Sequence, residues 1–150
     1  MWLDVRREVI VGVPRERVWA YIADFQRHTE WSQPEHQLRI EPPHELRAGA
    51  TFTSIGKELG REWRNTVTVG AVTPGERLEF VASHDTSAWQ NYFELSDAPN
   101  GTRVIKGERF VNAGFPMIML VALLMPWLIW ETGRVFTADL GRIKERLESK

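Results

Sequence analysis

The sequence predicts an α+β domain, a curved antiparallel sheet of six to seven strands with a long C-terminal helix laid over one face. Three observations carry this. From Gly49 to Phe110 the texture is all strand, cut by the turn sequences "KELG", "TPGE", "HDT" and "DAPNG". Every connection in that stretch is short, which argues for an antiparallel meander rather than strand–helix–strand units. Near the C-terminus, Ile129, Gly133, Phe136, Leu140, Ile143 and Leu147 recur at alternating spacings of four and three, one continuous apolar stripe on a helix.

The remaining elements follow in order. "VRREVIVGVP" places Val5, Val9 and Val11 on one side and reads as a first strand. Pro14 stands where a helix begins, a position that tolerates its missing N–H. "RERVWAYIADF" then carries Val18, Ile22 and Phe25 at helical spacing and ends near "DFQRHTEW". The stretch "SQPEHQLRIEPPHELRAG" is broken by Pro34, Pro42 and Pro43 and has room for one short strand. The strands "ATFTSIG", "REWRNTVTVGAV", "ERLEFVASH", "SAWQNYFELS" and "TRVIKGERF" complete the sheet. In the last helix Arg134, Asp139, Arg142, Glu145 and Glu148 fall on faces other than the apolar stripe. With 150 residues and no repeat or linker, residues 1–150 read as one domain.

Composition narrows the function. The net charge is −1, and no basic face with interleaved aromatics stands out, so nucleic-acid binding has no support. No cysteine is present, which removes disulfides, thiolate metal sites and Cys nucleophiles. His28, His36 and His44 are widely spaced in helix-end and loop sequence, so neither a metal nor a cofactor is expected. The N-terminus "MWLDVRREVIV" lacks the apolar core of a signal peptide, and the expected location is cytoplasmic.

The segment from Val111 to Trp130 carries no charge, and thirteen of its side chains between Phe115 and Trp130 are large and apolar. Burying one such side chain stabilises by roughly 1.5–3 kcal/mol, so thirteen amount to about 20–40 kcal/mol. That exceeds the ~5–15 kcal/mol stability of a whole domain. These residues need the protein's interior, a ligand, a membrane or a partner subunit such as a second copy. Pro126 breaks the helical hydrogen-bond ladder and predicts a kink or restart near Met125–Trp127. A kinked helix leaves a wedge above the sheet, walled by Met117, Met119, Leu123, Met125, Trp127 and Trp130. This cavity is preferred over a transmembrane span, because the amphipathic stripe runs directly out of the segment.

The succession "VPRERVWAYIADF", the strand meander, "NGTRV" and the closing helix "LGRIKERLE" resembles the START-like (SRPBCC) superfamily, in its polyketide cyclase/dehydrase-like branch. The resemblance covers essentially the whole chain. It implies a helix-grip fold, the sheet wrapped around the C-terminal helix with short helices after the first strand and an apolar cavity between sheet and helix. Its signatures are structural rather than catalytic. The superfamily's uses include lipid and hormone carriage, aromatic cyclisation, ubiquinone handling and chaperone regulation.

Strand alternation selects the residues facing that cavity. Trp63 and Asn65 share a face with Val67, and Phe80 shares one with His84. Trp89, Asn91 and Phe93 lie together on the next strand, and Lys106 and Glu108 on the last. With Met119, Leu123 and Trp127 from the helix, these form the candidate ligand site. A few polar groups in an apolar pocket suit a hydrophobic small molecule or lipid. The same groups also suit acid–base chemistry of the cyclase/dehydratase type, with His84 or Glu108 as the candidate catalytic group. A plainer reading stands beside this: His84 next to Asp85 fits a solvated strand end, and Lys106 and Glu108 fit an ion pair along one strand. A third function remains open, peripheral membrane binding through Phe115–Trp130.

Overall fold

The turn residues set the sheet. In the computed structural model, which describes residues 3–41, 45–85, 87–112 and 114–149, Leu59 and Gly60 both take positive φ, at 49° and 77°. They close a tight hairpin whose twist matches the flanking strands. Gly75 and Asn100 serve the next hairpins at φ of 76° and 62°. The strands are β1 (Asp4–Val11), β2 (Gln37–Glu41), β3 (Thr51–Glu58), β4 (Arg61–Thr73), β5 (Arg77–His84), β6 (Ser87–Ala98) and β7 (Gly101–Asn112). Each pairs antiparallel with its neighbours in the order β1-β7-β6-β5-β4-β3-β2. Register shifts between Val69 and Val72 and between Ala88 and Trp89 mark irregularities of the kind that bend a sheet. This is the helix-grip α+β architecture that the sequence predicts. Pro42, Pro43 and His44 lie outside the described residues.

Between β1 and β2 come α1 (Arg15–Ile22), a 3₁₀ turn (Phe25–Arg27) and α2 (His28–Trp31). The Asp24 side chain accepts from the Gln26 N–H and caps that turn. After β7, α3 runs from Phe115 to Glu148. Gly133, Phe136, Leu140, Ile143 and Leu147 of the predicted stripe are buried, while Ile129 is exposed. The main core joins Leu140, Ile143 and Leu147 of that stripe to Val11, Val18, Ile22, Phe93 and Val104.

Two expectations about α3 are corrected. The helix neither stops nor restarts at Pro126; it is helical through all 34 residues. Met119, Leu123 and Trp127 do not wall a cavity, and their exposures are 59%, 77% and 54%. The reason lies in helix geometry. In this half of α3 the direction toward the sheet is taken by Val121, which packs with Leu3, Val5 and Phe110. Met125 and Leu128 flank it, and the other side chains point away. Asp139, which is not one of the stripe residues, is nevertheless fully buried.

Candidate functional site

Alternation on six neighbouring strands, β2 to β7, builds a concave floor. Ser54 stands opposite Asn65, Phe52 opposite Val67, and Phe80 opposite Asn91, and directly opposed residues share a face. Above this floor lie the 3₁₀ turn and α2. Between the two layers is a pocket of about 290 Å³. Its apolar walls include Phe25, Phe52, Trp63, Val67 and Phe80. Phe25 anchors the roof, its ring 4.5 Å from Phe52 and 5.4 Å from Phe80, the latter edge-on. Trp63 reaches its place by lying across Gly56, where a Cβ would meet the indole at 1.9 Å.

Polar residues make up half of the pocket's lining, Ser32, His36, Ser54, Asn65 and Asn91 among them, and two others, His28 and Lys106, are tightly held. His28 is buried, and its Nε2 donates to the Ile22 carbonyl at 2.7 Å. Burial pushes its pKa down to about 4, so it is a neutral imidazole at pH 7. Lys106 lines the pocket and donates through Nζ to Asp139 Oδ2 at 2.9 Å. Its ammonium also stands 3.8 Å from the Phe136 ring centroid. Asp139 accepts two further bonds, from the Gln33 N–H at 3.2 Å and from Arg142 Nη2 at 2.6 Å. Arg142 Nε in turn donates to the Trp31 carbonyl at 2.8 Å. One buried carboxylate thus ties β7, α3 and the roof of the pocket together.

Trp31 breaks the pattern of satisfied groups. It is 1% exposed, it lines the pocket, and its Nε1–H has no hydrogen-bond partner among the described residues. A buried donor left unpaired costs about 1–3 kcal/mol. Such a group, on a residue that lines a pocket, is satisfied when an acceptor comes within its reach.

Glu108 lies beside the pocket. It stands opposite Asn91 in the sheet and two residues from Lys106 on the same face. Crowding by protein atoms raises its pKa to about 7; Lys106 works against that shift and Asp139 adds to it. Among the described residues no group of His, Cys, Asp and Glu is placed to hold a metal ion.

The predicted site residues therefore divide. Trp63, Asn65, Phe80 and Asn91 line the pocket together with Lys106. Phe93 is fully buried behind it, edge-on to Trp31 at 5.5 Å. Trp89 belongs to the second core cluster, against Phe110 at 4.9 Å. His84 is exposed at the far end of β5, held by the Arg64 carbonyl at 2.9 Å, and takes no part in the pocket. Met119, Leu123 and Trp127 lie on the outer side of α3. The pocket is thus roofed by the 3₁₀ turn and α2, and none of its lining side chains comes from α3. Sequence reasoning missed Phe25, His28, Trp31, Phe52 and Asp139 as parts of the site. The segment "HTEW" is too short to show periodicity; its only signal is a Trp and a His beside a run of polar residues.

The comparisons agree with this fold. The family model described as Activator of Hsp90 ATPase homolog 1-like protein matches residues 12–116. The chain belongs to this family. The Activator of Hsp90 ATPase homolog 1-like proteins fall within the START-like, polyketide cyclase-like superfamily that the motifs resemble. The chain is similar to the uncharacterized protein Rv0088 of Mycobacterium tuberculosis, 33% identical over 112 residues. That match covers 73% of this chain and 49% of Rv0088, so the chain spans about half the length of that relative. Among solved structures, CV1439 from Chromobacterium violaceum superposes with a TM-score of 0.75 at 15% identity, covering 97% of both chains. DynU16, a protein in the dynemicin biosynthetic locus, superposes with a TM-score of 0.69 at 19% identity. That match covers 97% of this chain and 47% of DynU16. At these identities the likeness establishes the shared fold.

Proposed function

We propose that this protein binds a hydrophobic small molecule in the pocket beneath α2, and that the ligand presents a hydrogen-bond acceptor to Trp31 Nε1. The observation that carries this is the buried indole N–H without a partner, set among Phe25, Phe52, Trp63 and Phe80. Aromatic walls favour a flat, conjugated or cyclic ligand. The ammonium of Lys106 is already matched by Asp139, so a neutral carbonyl or hydroxyl oxygen serves as well as a carboxylate. The test is native mass spectrometry of the protein purified without denaturation, followed by titration with 1-naphthoate. A retained organic mass, or naphthoate binding in the micromolar range (on the order of −8 kcal/mol), supports the proposal. Trp31→Phe should weaken naphthoate about tenfold, as expected for one lost hydrogen bond. No retained mass and no probe binding would sink it.

Glu108 favours a second reading, an enzyme of the cyclase/dehydratase type. A carboxyl with a pKa near 7 both donates and accepts a proton at neutral pH. It borders the pocket through Asn91, so a bound substrate held at Trp31 would present a neighbouring carbon or hydroxyl to it. Glu108→Gln would then abolish turnover while leaving probe binding intact, whereas a pure carrier loses nothing.

A further inference from the structure

The whole of α3, Phe115–Glu148, is long and apolar enough to cross a membrane by length and composition, yet only 6% of its most apolar window is buried. It is not a core helix. Phe115, Met119, Leu123, Trp127 and Trp130 run along the side that faces away from the sheet, at 54–78% exposure. Ile118, Leu120, Leu124 and Ile129 add a flank on either side, each at least 38% exposed. Among the described residues, the strip through Val121, Met125 and Leu128 packs with Leu3, Val5 and Phe110. The exposed apolar arc therefore covers most of the helix circumference. A second protein chain dries one strip of such a helix and leaves the flanks wet. Hydrocarbon wets the whole arc.

The ends of the arc fit the same occupant. The apolar half stops at Trp127 and Trp130, the residue type that settles at the headgroup level. Within the next turn come Glu131 and Arg134, paired with each other at 2.5 Å. Beside them lies Arg7 of β1, whose guanidinium rests on Gly133, where a Cβ would fall 2.2 Å from its Nη2. Arg7 donates to the Arg6 carbonyl at 2.8 Å, and among the described residues no carboxylate pairs with it. An unpaired cation, an arginine and a tryptophan thus line one hollow at the apolar–polar boundary. From Phe115 to Trp130 the helix is about 22 Å long, short of the ~30 Å hydrocarbon core. One side of it is also held to the sheet through Val121, which keeps the helix from crossing.

We propose that this half of α3 lies within one leaflet of a bilayer, outer face in the acyl region, with Arg7 at the phosphates of anionic lipids. The test is co-flotation with vesicles of phosphatidylcholine alone and of phosphatidylcholine with phosphatidylglycerol. The wild-type chain should float with both, more with the anionic vesicles, and Trp fluorescence should shift to the blue. Leu123→Glu combined with Trp127→Glu should cut flotation at least tenfold while melting and naphthoate binding stay unchanged. Arg7→Gln should weaken binding to the anionic vesicles about fivefold and leave the neutral ones unaffected. Carbonate washing should release the protein. The proposal is overturned if the wild-type chain floats with neither composition, if the double variant floats as well as wild type, or if the chain forms a lipid-free dimer that masks this face from vesicles. Retention through carbonate would overturn the one-leaflet placement.

Discussion

Asp139→Leu and Lys106→Met remove the two halves of one buried pair, and the structure makes their effects unequal. Without Asp139, Lys106 Nζ loses its hydrogen-bonded carboxylate; it keeps the faces of Phe136 at 3.8 Å and Trp31 at 5.6 Å and the attraction of the Glu108 carboxyl, which is only partly ionised at pH 7. The Gln33 N–H and Arg142 lose their acceptor as well. Stranding one member of a buried ion pair costs about 3–5 kcal/mol. At ~2–4 °C per kcal/mol for a chain of this size, the melting temperature should fall by roughly 6–20 °C. Without Lys106, Asp139 still accepts from Arg142 at 2.6 Å and from Gln33 at 3.2 Å. That loss should cost about 1–3 kcal/mol. The double variant should be less destabilised than Asp139→Leu alone, because no stranded ammonium remains. Urea unfolding followed by circular dichroism at pH 7 measures all three. If Lys106→Met costs as much as Asp139→Leu, or if both cost under 1 kcal/mol, the network does not carry the role assigned to it.

Other outcomes follow from the same coordinates. Glu108 has a raised pKa, so its contribution to stability is fully present below pH 4.5 and is lost as pH rises toward 7. His28 has a lowered pKa and acts oppositely, adding stability as pH rises from about 4 to 6.5. The two offset one another across pH 4.5–6.5, and Glu108→Gln should unmask the rise, which a denaturation series at pH 4.5, 5.5, 6.5 and 7.5 would reveal. Gly56→Ala must displace the Trp63 indole and should weaken naphthoate binding several-fold, measured by fluorescence titration, with a smaller effect on melting.

Much of the fold was legible because its signals are local. The hairpin turns announce themselves at Gly60, Gly75 and Asn100, and the C-terminal stripe is periodic over five turns. Strand alternation also placed Trp63, Asn65, Phe80, Asn91 and Lys106 on the face that forms the pocket floor. The roof was not legible. Trp31 and His28 sit in a four-residue helix whose burial depends on contacts with β5 and β6, distant in sequence. The burial of Asp139 was not legible, because a carboxylate on a helix normally faces water and its partner Lys106 is 33 residues away. The apolar run was read as a cavity wall on the premise that the isolated chain must hide it. The structure hides Val121 and leaves the outer face bare, so the physical argument that those residues need cover now applies to the surroundings of the protein.

The chain has seven tryptophans, so the indole region of a ¹H–¹⁵N correlation spectrum resolves the decisive donor directly. Trp31→Phe identifies the Nε1–H signal of Trp31. On titration with 1-naphthoate that signal should move downfield as it acquires an acceptor, with Trp63 responding through ring currents and Trp127 and Trp130 unmoved. A Trp31 signal that stays in place while naphthoate binds elsewhere would contradict the pocket as the ligand site.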